Sequence, residues 1–131
     1  MLLLCEKGAG MAKNDYDYIV FRVLTYLYGC LKRQIVFDEA AFKELIITKN
    51  VPEEYFTDVL RMMQGEGLIE GAIFTKAWGH TYIMASSLSD LSITAEGVRY
   101  VLNNDVMKQI KKAAIENAGA ICELVKLVLS L

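Results

Sequence analysis

Leu68-Ile-Glu-Gly-Ala-Ile-Phe-Thr75, Lys76-Ala-Trp-Gly-His80, Thr81-Tyr-Ile-Met-Ala85 and Leu91-Ser-Ile-Thr-Ala-Glu-Gly-Val-Arg-Tyr-Val-Leu102 decide the fold. They read as a strand, a polar tip, a second strand and a helix, with Ser86–Asp90 as the turn before the helix. The two apolar runs are rich in β-branched and aromatic residues and flank a Gly-containing loop, the pattern of a hairpin. Thr94 is placed to cap the helix, and Glu96 in its first turn suits the positive end of the helix dipole. Before this stretch come helical patterns near residues 38–47 and 52–64. Two short helices followed by a hairpin predict a winged helix-turn-helix domain. The expected class is α+β, mainly α, with a small antiparallel wing hairpin and an added C-terminal helix.

Working outward, Tyr16, Ile19, Val20, Val23, Leu24 and Leu27 fall on one stripe and predict a first helix over 16–28, with Asp15 as its cap. Gly29 loosens or ends it, Lys32-Arg-Gln34 is a polar turn, and Gln34-Ile-Val-Phe37 is expected as a short strand. Asp38 is the expected N-cap of a second helix whose inner face is Phe42, Leu45 and Ile46. Thr48-Lys-Asn50 breaks that pattern, and Pro52 suits the first turn of a third helix. Phe56, Val59, Leu60 and Met63 sit at i, i+3, i+4 and i+7 and should face the core; Gly65-Glu-Gly67 ends the helix. Val98, Val101 and Leu102 of the fourth helix are expected to pack inward.

Asp105 is the expected cap of one long last helix reaching Leu131. Along it, Met107, Ile110, Ala114, Asn117, Ile121, Leu124, Val128 and Leu131 follow a heptad seam with one polar member. The chain is thus expected to divide into an N-terminal extension without fixed structure (1–11), a winged-helix domain (12–104) and an apolar C-terminal helix (105–131).

Composition narrows the function classes. At 131 residues one domain is the expectation, and 54% hydrophobic residues are enough to build a core. A net charge of −2 and a pI near 5.4 argue against strong whole-protein attraction to nucleic acid. Cys5, Cys30 and Cys122 are odd in number and widely spaced, so neither a disulfide framework nor a zinc site is indicated, and a reducing cytoplasm is the expected setting. Met1-Leu-Leu-Leu-Cys5 lacks a basic start and has Leu, not a small residue, before the cysteine, so it reads as neither signal peptide nor lipoprotein box.

Four segments carry a resemblance. Tyr18-Ile-Val-Phe-Arg-Val-Leu24, Val51-Pro-Glu-Glu-Tyr-Phe56, Gly65-Glu-Gly-Leu-Ile-Glu-Gly71 and Leu91-Ser-Ile-Thr-Ala-Glu-Gly97 resemble, in content and order, the YjcQ family of small winged-helix proteins from Gram-positive bacteria and their prophages. The resemblance spans roughly residues 12–104. It implies the fold and a bacterial or prophage origin; it brings no established activity and no catalytic residues.

Candidate binding residues follow from the fold. A DNA reader would present the outer face of the third helix to the major groove. Here that face is Glu54, Thr57, Asp58 and Arg61, with Glu53 and Gln64 at its ends; three acids against one arginine leave −2. Phosphates repel such a face, so it reads equally as a solvated surface with an Asp58–Arg61 pair. Lys76, Trp78 and His80 at the wing tip can enter a minor groove or stack on a base, or Trp78 can fold back over the hairpin. The nucleic-acid candidates are therefore Thr57, Arg61, Lys76, Trp78 and His80. Lys32 and Arg33, Lys43 and Lys49, and Lys108, Lys111 and Lys112 are the remaining bases, to be read as phosphate contacts or as exposed helix faces.

From Ala118 onward nearly every residue is apolar, on all sides of the expected helix. That surplus points to a second copy, with Ile110, Ala114, Asn117, Ile121, Leu124 and Val128 as the dimerisation candidates; packing within the one chain and binding to a membrane surface are the alternatives. The run is too short to span a bilayer. No enzyme chemistry, cofactor, metal or small-molecule substrate is indicated. Two readings remain: a phage-related regulator that binds DNA as a homodimer, and a protein-interaction module that self-associates through its C-terminal helix.

Overall fold

The computed structural model describes residues 15–47, 51–79, 81–117 and 119–129. The expected extension (1–11), the break at 48–50 and His80 lie outside the described residues. Six helices and four short strands occur among the described ones: α1 (Asp15–Leu31), α2 (Glu39–Ile46), α3 (Glu53–Gly65), β1 (Ile69–Glu70), β2 (Phe74–Lys76), β3 (Tyr82–Met84), β4 (Ser92–Ile93), α4 (Ala95–Asn103), α5 (Asp105–Glu116) and α6 (Ala120–Leu129). The fold is mainly α, with two small antiparallel ladders, as the winged-helix reading expects.

Helix α1 is the axis. It carries far more than the single stripe expected: Phe21 and Tyr26 are buried along with Ile19, Val20, Val23, Leu24 and Leu27. A helix apolar on most sides must be surrounded, and α1 packs on all five other helices and on β4. Its buried Thr25 costs little, because the hydroxyl donates to the Phe21 carbonyl at 2.7 Å within the same helix.

On one side of α1 lie α2 and α3. Asp38 caps α2 as expected, its carboxylate accepting from the Ala41 N–H at 3.1 Å. Phe42 and Ile46 face inward, and so do Phe56, Val59, Leu60 and Met63 of α3. Phe42 sits in an aromatic group, with ring centroids 5.3 Å from Tyr26, 5.1 Å from Phe37 and 6.2 Å from Phe56.

The Gln34–Phe37 segment is not a strand, which corrects the expectation. The N–H groups of Lys32, Arg33 and Gln34 turn back to the carbonyls of Tyr28, Cys30 and Gly29 and finish α1. Phe37 then packs edge-on against Tyr26, and the Asp38 N–H donates to the Tyr26 hydroxyl at 3.2 Å. The strand partner of β1 is instead β4, with Ile69 opposite Ile93 and Glu70 opposite Ser92.

The expected strand over 68–75 is likewise broken in two. After Glu70 the chain turns at Gly71, φ 99°, where a Cβ would strike the Asp90 carbonyl of the 3-10 turn Leu88–Asp90. The hairpin then restarts as β2 paired with β3: Phe74 faces Met84, Thr75 faces Ile83 and Lys76 faces Tyr82.

The C-terminal region also departs from expectation. The single long helix is two helices, and the cap of the first is Asn104, whose side chain accepts from the N–H groups of Val106 and Met107, not Asp105. Asn117 ends α5, its amide donating to the Ala113 carbonyl at 3.0 Å. Gly119, φ 141°, turns the chain, and α6 folds back onto α5 and α1. Much of the apolar surplus of the sequence is thereby buried: Leu124, Val125, Val128 and Leu129 join the same core as the rest and Cys122 is buried beside them, while Leu127 stays half exposed.

Candidate functional site

The wing and α3 form one built surface. Strand alternation turns Phe74, Tyr82 and Met84 partly inward, with β3 against α3, and leaves Ile83 outside. Two contacts join the hairpin to the helix. The Arg61 guanidinium lies over the Tyr82 ring, 4.3 Å from its centroid, while its Nη2 is 3.6 Å from Asp58 Oδ1. Arg61 Nε is buried without a hydrogen-bond partner. Gln64 acts as a surrogate strand: its amide nitrogen donates to the Ala72 carbonyl at 3.0 Å and its oxygen accepts from the Ala72 N–H at 2.8 Å.

This pairing makes a testable case. Gln64→Leu keeps the size of the side chain but leaves both Ala72 groups without that partner, so stability should fall by about 1–3 kcal/mol. Urea unfolding measures the loss. A variant within a few tenths of the parent would show that the wing does not depend on Gln64.

The predicted contact residues fare differently. Thr57 is half-buried on α3 and its hydroxyl donates to the Glu53 carbonyl at 3.0 Å. Arg61 is engaged by Asp58 and Tyr82. Lys76 is exposed, paired across the hairpin with Tyr82. Trp78 does not fold back over the hairpin: it is 94% exposed, which overturns the packing alternative. Glu53, Glu54 and Glu66 are exposed on the same helix or at its end, so the acidity expected for this face is present.

Sequence reasoning passed over Ile73 and Ile83, which are 63% and 53% exposed. The alternation Tyr82-Ile83-Met84 held the signal, since it puts Ile83 on the side away from the inward pair. Ile73 and Ile83 thus lie on the outer side of the wing, and Trp78 stands exposed at its tip. Single exposed apolar residues need no explanation, but several on one thin hairpin do.

The dimerisation candidates are placed mostly within the chain. Ile110, Ala114, Leu124 and Val128 are buried, Ile121 is partly buried against the core, and Asn117 is exposed at the end of α5. These side chains are therefore engaged within the chain, while Leu127 and Ile115 of the same two helices stay exposed.

Two of the expected phosphate contacts, Lys32 and Lys111, have structural work. The last carbonyls of α6 receive the Lys32 ammonium at Val128 (2.6 Å), the Gln34 amide at Leu127 (3.1 Å) and the Lys111 ammonium at Leu129 (3.3 Å). Cations suit the negative end of a helix. Lys32 also lies 4.5 Å from the centre of the Tyr28 ring. Burial pushes the Cys30 thiol up and so disfavours its thiolate. No group of three or more His, Cys, Asp or Glu is placed to hold a metal among the described residues, and no helix among them is long and apolar enough to cross a membrane.

Compared with known proteins, the chain matches the family model described as YjcQ protein over residues 21–117, from the first turns of α1 to the end of α5. No curated protein and no solved structure matches it significantly.

Proposed function

Since the chain belongs to the YjcQ family, whose match covers the helices and the wing but not α6, we propose that it is a protein-interaction module whose contact surface is the wing. The exposure of Trp78 carries this reading. A fully solvated tryptophan at a hairpin tip has an apolar ring to bury and an N–H to offer, and tryptophan is among the residues that dominate binding energy at protein interfaces. Ile73 and Ile83 extend the apolar area. Glu53, Glu54 and Asp58 on α3 suit a partner with a basic rim.

DNA binding is the second reading, favoured by Lys76 lying two residues from Trp78 at the tip. Against it stands the acidity of α3, with its one arginine already held by Asp58 and Tyr82.

Trp78 is the sole tryptophan of the chain, so its emission reports directly on the tip. Random-sequence duplex DNA at low salt should leave that emission unchanged. Quenching that disappears steeply with added salt would favour the DNA reading, because phosphate contacts release counterions. The protein reading is tested by placing a photo-crosslinking residue at position 78, 83 or 36 in the producing cell. Val36 is exposed but lies outside the wing. Positions 78 and 83 should capture the same protein and position 36 should not; equal capture from all three would defeat the reading. With the captured partner purified, Trp78→Ser should weaken binding by about 2 kcal/mol or more, roughly thirtyfold. The same change should alter stability by no more than about 0.5 kcal/mol, since the side chain is solvated.

A further inference from the structure

A second candidate site lies between α4, α5 and the end of α6, and uses none of the wing's residues. It is a cavity of about 410 Å³ lined by Val101 and Leu102 of α4, Lys108, Lys111, Lys112 and Ile115 of α5, and Leu129 of α6. Among the described residues that line it, four side chains are aliphatic, three are lysines and none is acidic. The volume is within the usual range for small-molecule sites, which runs from about 300 to 1,000 Å³.

The lysines are not equivalent. Lys111 is half-buried and its ammonium is held at the Leu129 carbonyl, 3.3 Å away, where it finishes α6. Lys108 and Lys112 are exposed and one helical turn apart. The ion pairs among the described residues join Lys43 to Glu39, Arg61 to Asp58 and Arg99 to Glu96, and none reaches this cavity. Two like charges at i, i+4 repel one another. An anion seated between them removes that repulsion. An aliphatic floor beneath a cationic rim matches a molecule with a hydrocarbon body and one negative head.

We propose that this cavity binds a small anionic amphiphile, a monocarboxylate with an aliphatic tail of medium length. The tail lies on Val101, Leu102, Ile115 and Leu129, and the carboxylate sits between Lys108 and Lys112 at the mouth.

The test is calorimetric titration of the full chain at low salt with octanoate, with octanol and with inorganic phosphate. Octanoate should bind more tightly than octanol, and phosphate alone should not register. Lys108→Gln with Lys112→Gln, both exposed positions, should weaken octanoate about fivefold and leave octanol unchanged. Ile115→Trp, which fills the floor, should abolish binding of both. Octanoate no tighter than octanol, or indifferent to the paired lysine change, would overturn the anionic head. Phosphate as tight as octanoate would overturn the amphiphile, and no octanoate binding at all would overturn the site.

Discussion

A chain lacking residues 120–131 should fail to fold, not become a folded monomer. The helix removed, α6, buries Cys122, Leu124, Val125, Val128 and Leu129. Burying one Leu or Val side chain contributes about 1.5–3 kcal/mol, so the four aliphatic residues together supply roughly 6–12. A domain of ordinary stability has only about 5–15 kcal/mol in total. Deletion would also open the side of α1 that α6 covers and release Lys32, Gln34 and Lys111 from the α6 carbonyls. Circular dichroism and urea unfolding of the truncated chain decide the matter. A sharp transition within about 1 kcal/mol of the parent would make α6 an appendage of the fold, contrary to its burial. Val125→Asp, at a position with no exposed surface, should act in the same direction in the full-length chain, because an uncompensated charge in the core is strongly unfavourable.

Gly97→Val should destabilise the chain by about 3 kcal/mol or more, beyond the usual cost of overpacking. Gly97 lies in the first turn of α4, which Thr94 caps by accepting from the Gly97 N–H at 3.0 Å. The Thr94 hydroxyl donates to the Gly67 carbonyl at 2.5 Å and lies 3.0 Å from the Leu68 carbonyl, to which the Thr94 N–H donates at 3.1 Å. These bonds draw the start of α4 against the chain entering β1. A Cβ at Gly97 would run into the Leu68 carbonyl and come within 2.8 Å of Ile93 Cγ1. A backbone oxygen held by the Thr94 N–H at the start of a strand cannot move aside as a flexible side chain would. Gly97→Ala should already cost a large part of this. Thermal unfolding of the two variants gives the order; an alanine variant as stable as the parent would mean that the helix start can shift freely.

The same residues show what a linear reading can recover. Thr94 and Asp38 were recognisable as caps because a capping side chain bonds to an N–H only three residues away. The inner face of α3 and the alternation of β3 were equally local, since helix and strand periods repeat within a few residues. Trp78 and Lys76 could be named as the wing tip. Whether Trp78 folded inward could not, because that depends on what lies beside the hairpin.

The errors have identifiable causes. Gln34–Phe37 has strand composition, yet its neighbouring backbone groups close α1 and its aromatic ring meets Tyr26. The heptad steps from Met107 onward are real, yet Asn117 and Gly119 interrupt the helix, and the two halves pack on each other. Arg61 reads as the partner of Asp58 on an outer face, and so it is, yet Tyr82, 21 positions on, also lies beneath it. Tyr82 is distant from Arg61 in sequence, whereas the end of α1 and the break at Asn117 and Gly119 are local stops whose effect depends on the surfaces that then meet.

By itself, the order of amino acids determined the mainly α winged-helix class, the caps and inner faces of the short helices, the acidic face of α3 and the identity of the wing tip, because these rest on spacings of two to four residues. The tertiary structure alone decided that the apolar tail closes the core of its own chain, that Gln64 and Arg61 hold the wing to α3, that Trp78 stands in solvent, and that Lys108 and Lys112 rim an aliphatic cavity. Those outcomes depend on which surfaces meet when the wing lies against α3 and α6 turns back on α1, and a local pattern carries no measure of that.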